Sequence, residues 1–136
     1  MDGVSEQVKV DAGRGKVVVT LTVDNAGQRA VYVPKALFED DELIAPVFQV
    51  RDMATGQDID YIGRKVKRGP ITLDDYLAVK PGEKKSNSID ITSSYDFRAG
   101  EHTYQLSYSG SYLKDLAYLN ALTPVAVTPV TFTFRK

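Results

Sequence analysis

The chain has 136 residues, of which 43% are hydrophobic and 26% are charged, with no cysteine and a single histidine. This length and composition predict one globular domain, residues 1–136, and are not typical of a disordered chain. The net charge of −1 argues against a nucleic-acid partner, and no apolar run reaches the roughly 18 residues of a membrane span. The lack of cysteine excludes disulfides and thiolate metal sites.

Short runs rich in β-branched residues begin near the N-terminus. Residues 16–23, KVVVTLTV, predict a strand, and residues 4–10 suit an edge strand beside it. Residues 30–33 predict a further strand, which we expect to neighbour the end of the 16–23 strand in one sheet. Residues 45–51 and 59–62 flank turn-forming residues and predict a hairpin.

The C-terminal half continues this pattern. Residues 86–92, 103–108 and 130–134 alternate apolar and polar side chains, which is typical of half-buried strands. Residues 111–122, SYLKDLAYLNAL, have leucines at helix-like spacing and predict a short helical or irregular excursion. Seven or eight short strands separated by turns predict an all-β fold, an immunoglobulin-like antiparallel β-sandwich.

Few residues suggest catalysis or metal binding. His102 is the single histidine, so a zinc site of the HExxH type is excluded, and no Gly-x-Ser-x-Gly motif accompanies a serine nucleophile. We therefore expect His102 to be exposed and idle, and the chain not to be an enzyme. Asp58 and Asp60 could face one side of a strand, but solvated surface charge is the favoured interpretation. No metal or cofactor is predicted.

A cluster of basic residues stands out at 64–68, where four of five side chains are cationic. Their mutual repulsion requires nearby acidic groups, either within the chain at Asp74, Asp75 and 39–42, or on a partner. The first interpretation is favoured by composition alone. In the second interpretation the cluster is a recognition loop for an acidic pocket, and Tyr61 and Tyr76 flank it as rigid contacts. The candidate protein-binding residues are Tyr61, Arg64, Lys65, Lys67, Arg68, Tyr76, Tyr112 and Lys114.

The order of these motifs also resembles a known family. The similarity covers the strand that ends at 23–25, the block at 61–76, the turn-forming stretch Val79 to Glu83, the turn at 93–96 and the closing segment 104–110. Within the block, the matching residues are Tyr61, Gly63, Arg64, Lys67, Arg68, Asp75 and Tyr76. From about residue 15 onward the chain resembles the non-catalytic N-terminal domain of bacterial deuterolysin-type zinc endopeptidases, which include the peptidyl-Lys metalloendopeptidases.

This resemblance implies a function that composition does not. It implies a secreted or periplasmic domain that binds a zinc metalloendopeptidase catalytic domain, in cis or in trans, as a latency-maintaining inhibitor, a folding chaperone or both. We expect the catalytic domain itself to be absent from these 136 residues. The alternative is a generic extracellular or periplasmic immunoglobulin-like module that binds another protein or a glycan, because a fold alone does not fix a function.

Overall fold

A computed structural model describes residues 3–66 and 72–136 and shows an almost entirely β-stranded chain. One short helix, α1 (Lys35–Phe38), and one 3-10 turn (Leu73–Asp75) interrupt the strands of this described part. Those strands are, in chain order, β1 (Val4–Asp11), β2 (Val18–Asn25), β3 (Val31–Pro34), β4 (Gln49–Asp52), β5 (Gln57–Asp58), β6 (Tyr76–Val79), β7 (Lys84–Asp90), β8 (Glu101–Ser107), β9 (Gly110–Leu113), β10 (Leu122–Val125) and β11 (Val130–Arg135).

Two antiparallel sheets have the strand orders of an immunoglobulin-like sandwich. One sheet has the order β1-β2-β7 and the other the order β11-β8-β4-β5. These orders correspond to the ABE and GFC arrangements of immunoglobulin-type domains. The predicted all-β sandwich is therefore confirmed. A hairpin forms where one was predicted, but its strands are β4 and β5, with Arg51 paired to Asp58, and not the longer 45–51 and 59–62.

A third sheet, with the order β10-β9-β3-β6, accounts for strands beyond the seven or eight predicted. Its strands β9 and β10 pair with each other just as β8 and β11 do, so residues 101–135 form one long hairpin. The pairing is interrupted between the Leu106–Val130 and Gly110–Val125 pairs, where the hairpin bends. The sequence pattern does not mark this bend, because the alternation of side chains resumes on both sides of it.

The tip of this hairpin is irregular. Residues 114–121 form turns in which Tyr118 N–H donates to the Asp115 carbonyl and Ala117 N–H donates to the Asp115 carboxylate, at 3.1 and 2.8 Å. Of the two predicted alternatives for 111–122, the irregular one is thus observed. A helix is disfavoured because Asp115 caps a local turn and because both flanking segments pair as strands.

One predicted sheet neighbour was wrong. The chain passes from β2 in the first sheet to β3 in the third, so these strands do not share a sheet. The crossing is fixed by Asn25, which is fully buried and donates from Nδ2 to the carbonyls of Arg29 and Val79 at 2.8 and 2.9 Å. The buried amide thereby satisfies backbone groups that leave the ladder at this corner.

The core lies between the sheets. Val19, Leu21 and Ile89 of the first sheet and Val50 and Leu106 of the second have no more than 1% of their surface exposed, and they belong to one apolar cluster. Burying a side chain of this size contributes about 1.5–3 kcal/mol relative to exposure. The strands that carry these residues are therefore the rigid frame on which the loops are held. In the described residues, no helix is both long and apolar enough to cross a bilayer.

Candidate protein-binding surface

The loop at 61–66 leaves the sandwich beside the second sheet and is anchored at both ends. The Ile62 and Gly63 N–H groups donate to the Ser94 carbonyl at 2.8 and 3.1 Å, and Val66 N–H donates to the Ile44 carbonyl at 3.0 Å. Backbone bonds of this kind hold a loop in one conformation. We call residues 61–66 the anchored loop.

Tyr61 supports the anchored loop from below. It forms a β-bridge with Tyr95, the two rings meet edge to face with centroids 5.4 Å apart, and its hydroxyl donates to the Arg64 carbonyl. Burial raises the pKa of Tyr61, with Glu42 acting in the same direction and Arg64 opposing it. Tyr61 is consequently a half-buried support for the loop, and the surface that the loop presents belongs to the residues that follow it.

The cationic cluster is partly neutralised within the chain. Arg64 Nη1 lies 3.5 Å from Glu42 Oε1, although both side chains remain more than half exposed. Asp75, which we considered as a counter-ion, accepts the Thr72 N–H at 2.8 Å and so caps the 3-10 turn. Lys65 is exposed, and Lys67 and Arg68 lie outside the described residues. The acidic stretch at 39–42 thus supplies at least one of the expected partners.

Apolar side chains accompany the charges of the anchored loop. Ile62 is 58% exposed and Val66 is 43% exposed. A cleft of about 620 Å³ adjoins Ile62. It is lined by Asp41, Glu42, Leu43, Ile62, Gly63, Arg64, Asp90, Ser93 and Ser94. Hydrogen bonds from Thr92, together with Lys16, hold the pKa of Asp90 below its usual range, so the wall of the cleft is anionic. The loop therefore presents apolar and cationic side chains beside a cleft whose wall is acidic.

Lys114, another predicted binding residue, does not join this surface. The anchored loop bonds to Ser94, three residues after Ile91, and Ile91 bonds to Val17 just before β2. Lys114 instead lines a cavity with Gly3 and 26–31, beyond the far end of β2. An eight-residue strand spans about 23 Å at a rise of about 3.3 Å per residue, so Lys114 and the anchored loop lie at opposite ends of β2. Tyr76 is half-buried at the start of β6.

Two tyrosines of the 111–122 segment lie in different surroundings. Tyr118 is 66% exposed on the hairpin tip, but Tyr112 is only 3% exposed. Residues 110–113 form the strand β9, so alternation directs Tyr112 inward, whereas the sequence had suggested a helix or loop there. Tyr112 is therefore a core residue, and its predicted contact with a partner stays a prediction.

The prediction that His102 is exposed was also wrong, whereas its expected lack of a catalytic role stays a prediction. Its side chain is 29% exposed, Nδ1 lies 3.3 Å from Asp52 Oδ2, and Nε2 lies 2.9 Å from the Ala99 carbonyl oxygen. Asp52 is fully buried, accepts the Ala54 N–H at 2.9 Å, and has Arg98 Nε 3.4 Å from Oδ2. The contacts of Oδ2 are close but poorly aligned, since this atom has no hydrogen bond of good geometry. Arg98 and His102 thus lie beside a buried carboxylate.

A second buried carboxylate, Glu6, was missed by the sequence-based reasoning. It is 6% exposed on β1, and its Oε1 accepts the Tyr108 hydroxyl at 3.3 Å, while Oε2 has no hydrogen-bond partner. Burial raises the pKa of Glu6 to about 7. A signal was present, because Val4, Glu6, Val8 and Val10 share one face of an alternating strand and a glutamate on an apolar face is unusual.

Comparison with known proteins connects the chain with proteolysis. No family model matches the sequence. A segment of 100 residues, 73% of the chain, is 33% identical to an extracellular protease of Aeromonas hydrophila. The matched segment represents 28% of that protease, so the chain spans little more than a quarter of the relative's length. The similarity therefore links this β-sandwich with part of an extracellular protease, and the relative's location is compatible with a secreted protein.

Proposed function

We propose that the chain is a non-catalytic domain that binds the catalytic domain of a secreted zinc metalloendopeptidase of the deuterolysin type. In this role it acts as a prodomain, keeping the protease latent, assisting its folding, or both. The observation that carries the proposal is the 33% identity with an extracellular protease over 100 residues. The block that resembles the deuterolysin-type N-terminal domain, residues 61–76, agrees with that identity.

The anchored loop is the contact surface that the described residues support best. It combines exposed apolar side chains, Ile62 and Val66, with Lys65 and a partly neutralised Arg64. Its backbone is tied down at 62, 63 and 66, so little conformational entropy is lost when it binds. An endopeptidase that accepts lysine beside the scissile bond has an acidic subsite, and we propose that the exposed Lys65 enters such a subsite.

Charge and packing have separate effects in this interface. Complementary charges accelerate encounter and make association sensitive to salt, whereas buried apolar contacts set the lifetime of the complex. The loop must also resist cleavage, which requires that its peptide bonds stay out of attack geometry. The backbone bonds to Ser94 and Ile44 supply that restraint.

The test combines binding and inhibition. The purified chain is mixed with the Aeromonas protease from which the matched 100-residue segment has been deleted, and with a deuterolysin-type catalytic domain. Calorimetry then measures the complex and a peptide substrate reports residual activity. We expect a one-to-one complex with reduced activity. Absence of any complex would reject the proposed function and favour a binding module for another protein or a glycan.

The placement of the contact is tested separately. Arg64→Glu combined with Lys65→Glu is expected to slow association about tenfold to a hundredfold, because charges at an interface act mainly on the association rate. The matched control is Lys80→Glu combined with Lys84→Glu, which makes the same charge change on exposed residues at the Asn25 end of the sandwich. A normal association rate in the loop variant, with the complex intact, would move the interface elsewhere.

A further inference from the structure

The edge strand β1 is held to the rest of the sandwich by an unusual contact. Among the described residues it pairs with β2 along its full length and with no second strand. It also contacts β10 and β11 at the bend of the long hairpin, where the β8–β11 and β9–β10 ladders are interrupted. No ladder is described on this side, so side-chain contacts are important for holding β1 to the bend.

Glu6 is the polar side chain at this junction. Its carboxylate meets the Tyr108 hydroxyl and approaches Gly110 so closely that a Cβ on that glycine would lie 2.3 Å from Oε2. The same Cβ would be 3.3 Å from the Val125 carbonyl oxygen, so β10 also lies close to this junction. A crevice of about 290 Å³ lined by Glu6–Lys9 and 128–130 runs alongside.

No described charge compensates this carboxylate. Opposite Glu6 in the ladder β2 presents Val23, β10 presents Val125, and β11 presents Val130 at the crevice, none of which titrates. Tyr108 is the titratable group that the hairpin turns toward it, and burial raises the pKa of that hydroxyl far above its usual range. Lys9 of the same strand is exposed. Glu6 is therefore accommodated as a neutral acid and is costly to accommodate as an anion.

We propose that Glu6 is a proton-dependent latch, which holds β1 against the hairpin bend when it is protonated and loosens β1 when it is ionised. In the protonated form the carboxyl accepts from Tyr108 and is neutral in its apolar surroundings. In the ionised form the unpaired oxygen is a buried anion, and local opening of β1 returns it to water. The latch is a property of this chain alone and does not rest on the proposed protease.

The direction of the pH effect follows from the two protonation equilibria. The native pKa of Glu6 is about 7, compared with an ordinary value of 4.5 once β1 opens. The closed form therefore binds the proton more tightly, and opening becomes more favourable as pH rises between these values. Between pH values of about 5.5 and about 8.5, the opening equilibrium is expected to increase about thirtyfold.

Hydrogen exchange on the full chain tests the latch. Protection factors, corrected for intrinsic exchange, are measured for the amides of β1 at the two pH values. In wild type, protection of β1 is expected to fall about thirtyfold. In Glu6→Gln the fall should vanish, because the amide cannot ionise. Glu101→Gln, an exposed glutamate on a strand, is the matched control and should retain it.

Two further measurements guard against a folding artefact in Glu6→Gln. Carbon NMR of the Glu6 carboxyl in wild type gives its pKa directly, and a value near 4.5 would overturn the proposal. Tyr108→Phe removes the hydrogen bond that lowers the pKa of Glu6, so the midpoint of the loss of β1 protection should move to higher pH. Equal loss of protection in wild type and Glu6→Gln would also overturn it.

Discussion

Two carboxylates are buried in this sandwich, and their surroundings differ. Asp52 is fully buried beside Arg98 and His102, and it caps a turn through Ala54 N–H. Glu6 is 6% exposed and meets a tyrosine hydroxyl and apolar strands. A buried anion needs cations and donors to remain charged at low cost. Of the two, Glu6 is the carboxylate whose surroundings favour the protonated form.

The largest expected effect comes from Asp52. Replacement by asparagine keeps the shape and the oxygen that accepts from Ala54, but it leaves Arg98 and His102 beside a neutral group. We expect the free energy of unfolding to fall by about 2–4 kcal/mol, slightly less than for a fully buried pair because Arg98 and His102 are partly exposed. Urea denaturation at neutral pH measures this change.

The control for Asp52 lies in the same hairpin. Asp58 pairs with Arg51 at 3.4 Å, and both side chains are about half exposed. Asp58→Asn should therefore change stability by less than about 1 kcal/mol, as is usual for surface ion pairs. Equal effects of the two substitutions would show that burial does not increase the contribution of Asp52 and its neighbours, Arg98 and His102, to stability.

Glu6 is expected to have the opposite pH signature. Because its native pKa is about 7 instead of 4.5, its contribution to stability is greatest in acid and is lost as pH rises through this interval. At about 1.36 kcal/mol per pH unit, the loss has an upper limit of about 3 kcal/mol. Urea denaturation of wild type and Glu6→Gln between pH values of about 5 and 8 should give curves that diverge above the ordinary pKa.

A Glu6→Gln curve that declines in parallel with wild type would assign the pH dependence to other groups. The surface carboxylates act in the opposite direction when they are paired or hydrogen-bonded, as Asp90 is with Thr92. Such groups have a lowered pKa in the native state, and their contribution is present at neutral pH and lost in acid. The difference between the two proteins removes that shared background.

The comparison also shows how far the sequence could lead. Alternation and β-branched runs predicted the strands that now form β2, β7, β8 and β11, because period-two patterns report burial directly. The bend in the hairpin was not predictable, since it depends on pairing between residues 15 positions apart on one side, Gly110 with Val125, and 24 on the other, Leu106 with Val130. Tyr112 was misplaced for the same reason, because a strand that exists only through its partners has no signal of its own.

Some features of the candidate site could also be predicted from the sequence, and others could not. The basic residues at 64–68 were visible in the sequence as an unbalanced charge, and the pairing of Arg64 with Glu42 follows that expectation. The separation of Lys114 from them was not visible, because sequence distance does not report which end of a sandwich a loop occupies. The surroundings of His102 also depend on a residue distant in sequence, Asp52, which the pairing of β4 with β8 brings next to it.

The smallest expected effect on stability comes from Gly110, which Glu6 approaches at the hairpin bend. A Cβ at Gly110 would lie 2.3 Å from Oε2 and 2.9 Å from Cδ of Glu6, so Gly110→Ala must displace that side chain. Overpacking of this kind costs about 1–3 kcal/mol, and we expect the lower end because a side chain, not backbone, is displaced. Thermal unfolding measures the loss.

The double variant decides whether the two residues act on each other. Glu6→Ala removes the atoms that the new Cβ would meet, so Gly110→Ala should cost less in that background than in wild type. The Val125 carbonyl oxygen, 3.3 Å from the same Cβ, leaves a smaller residual cost. If Gly110→Ala were equally destabilising in both backgrounds, the glycine would be required by the backbone of the bend. The close approach of Glu6 would then be a consequence of that requirement.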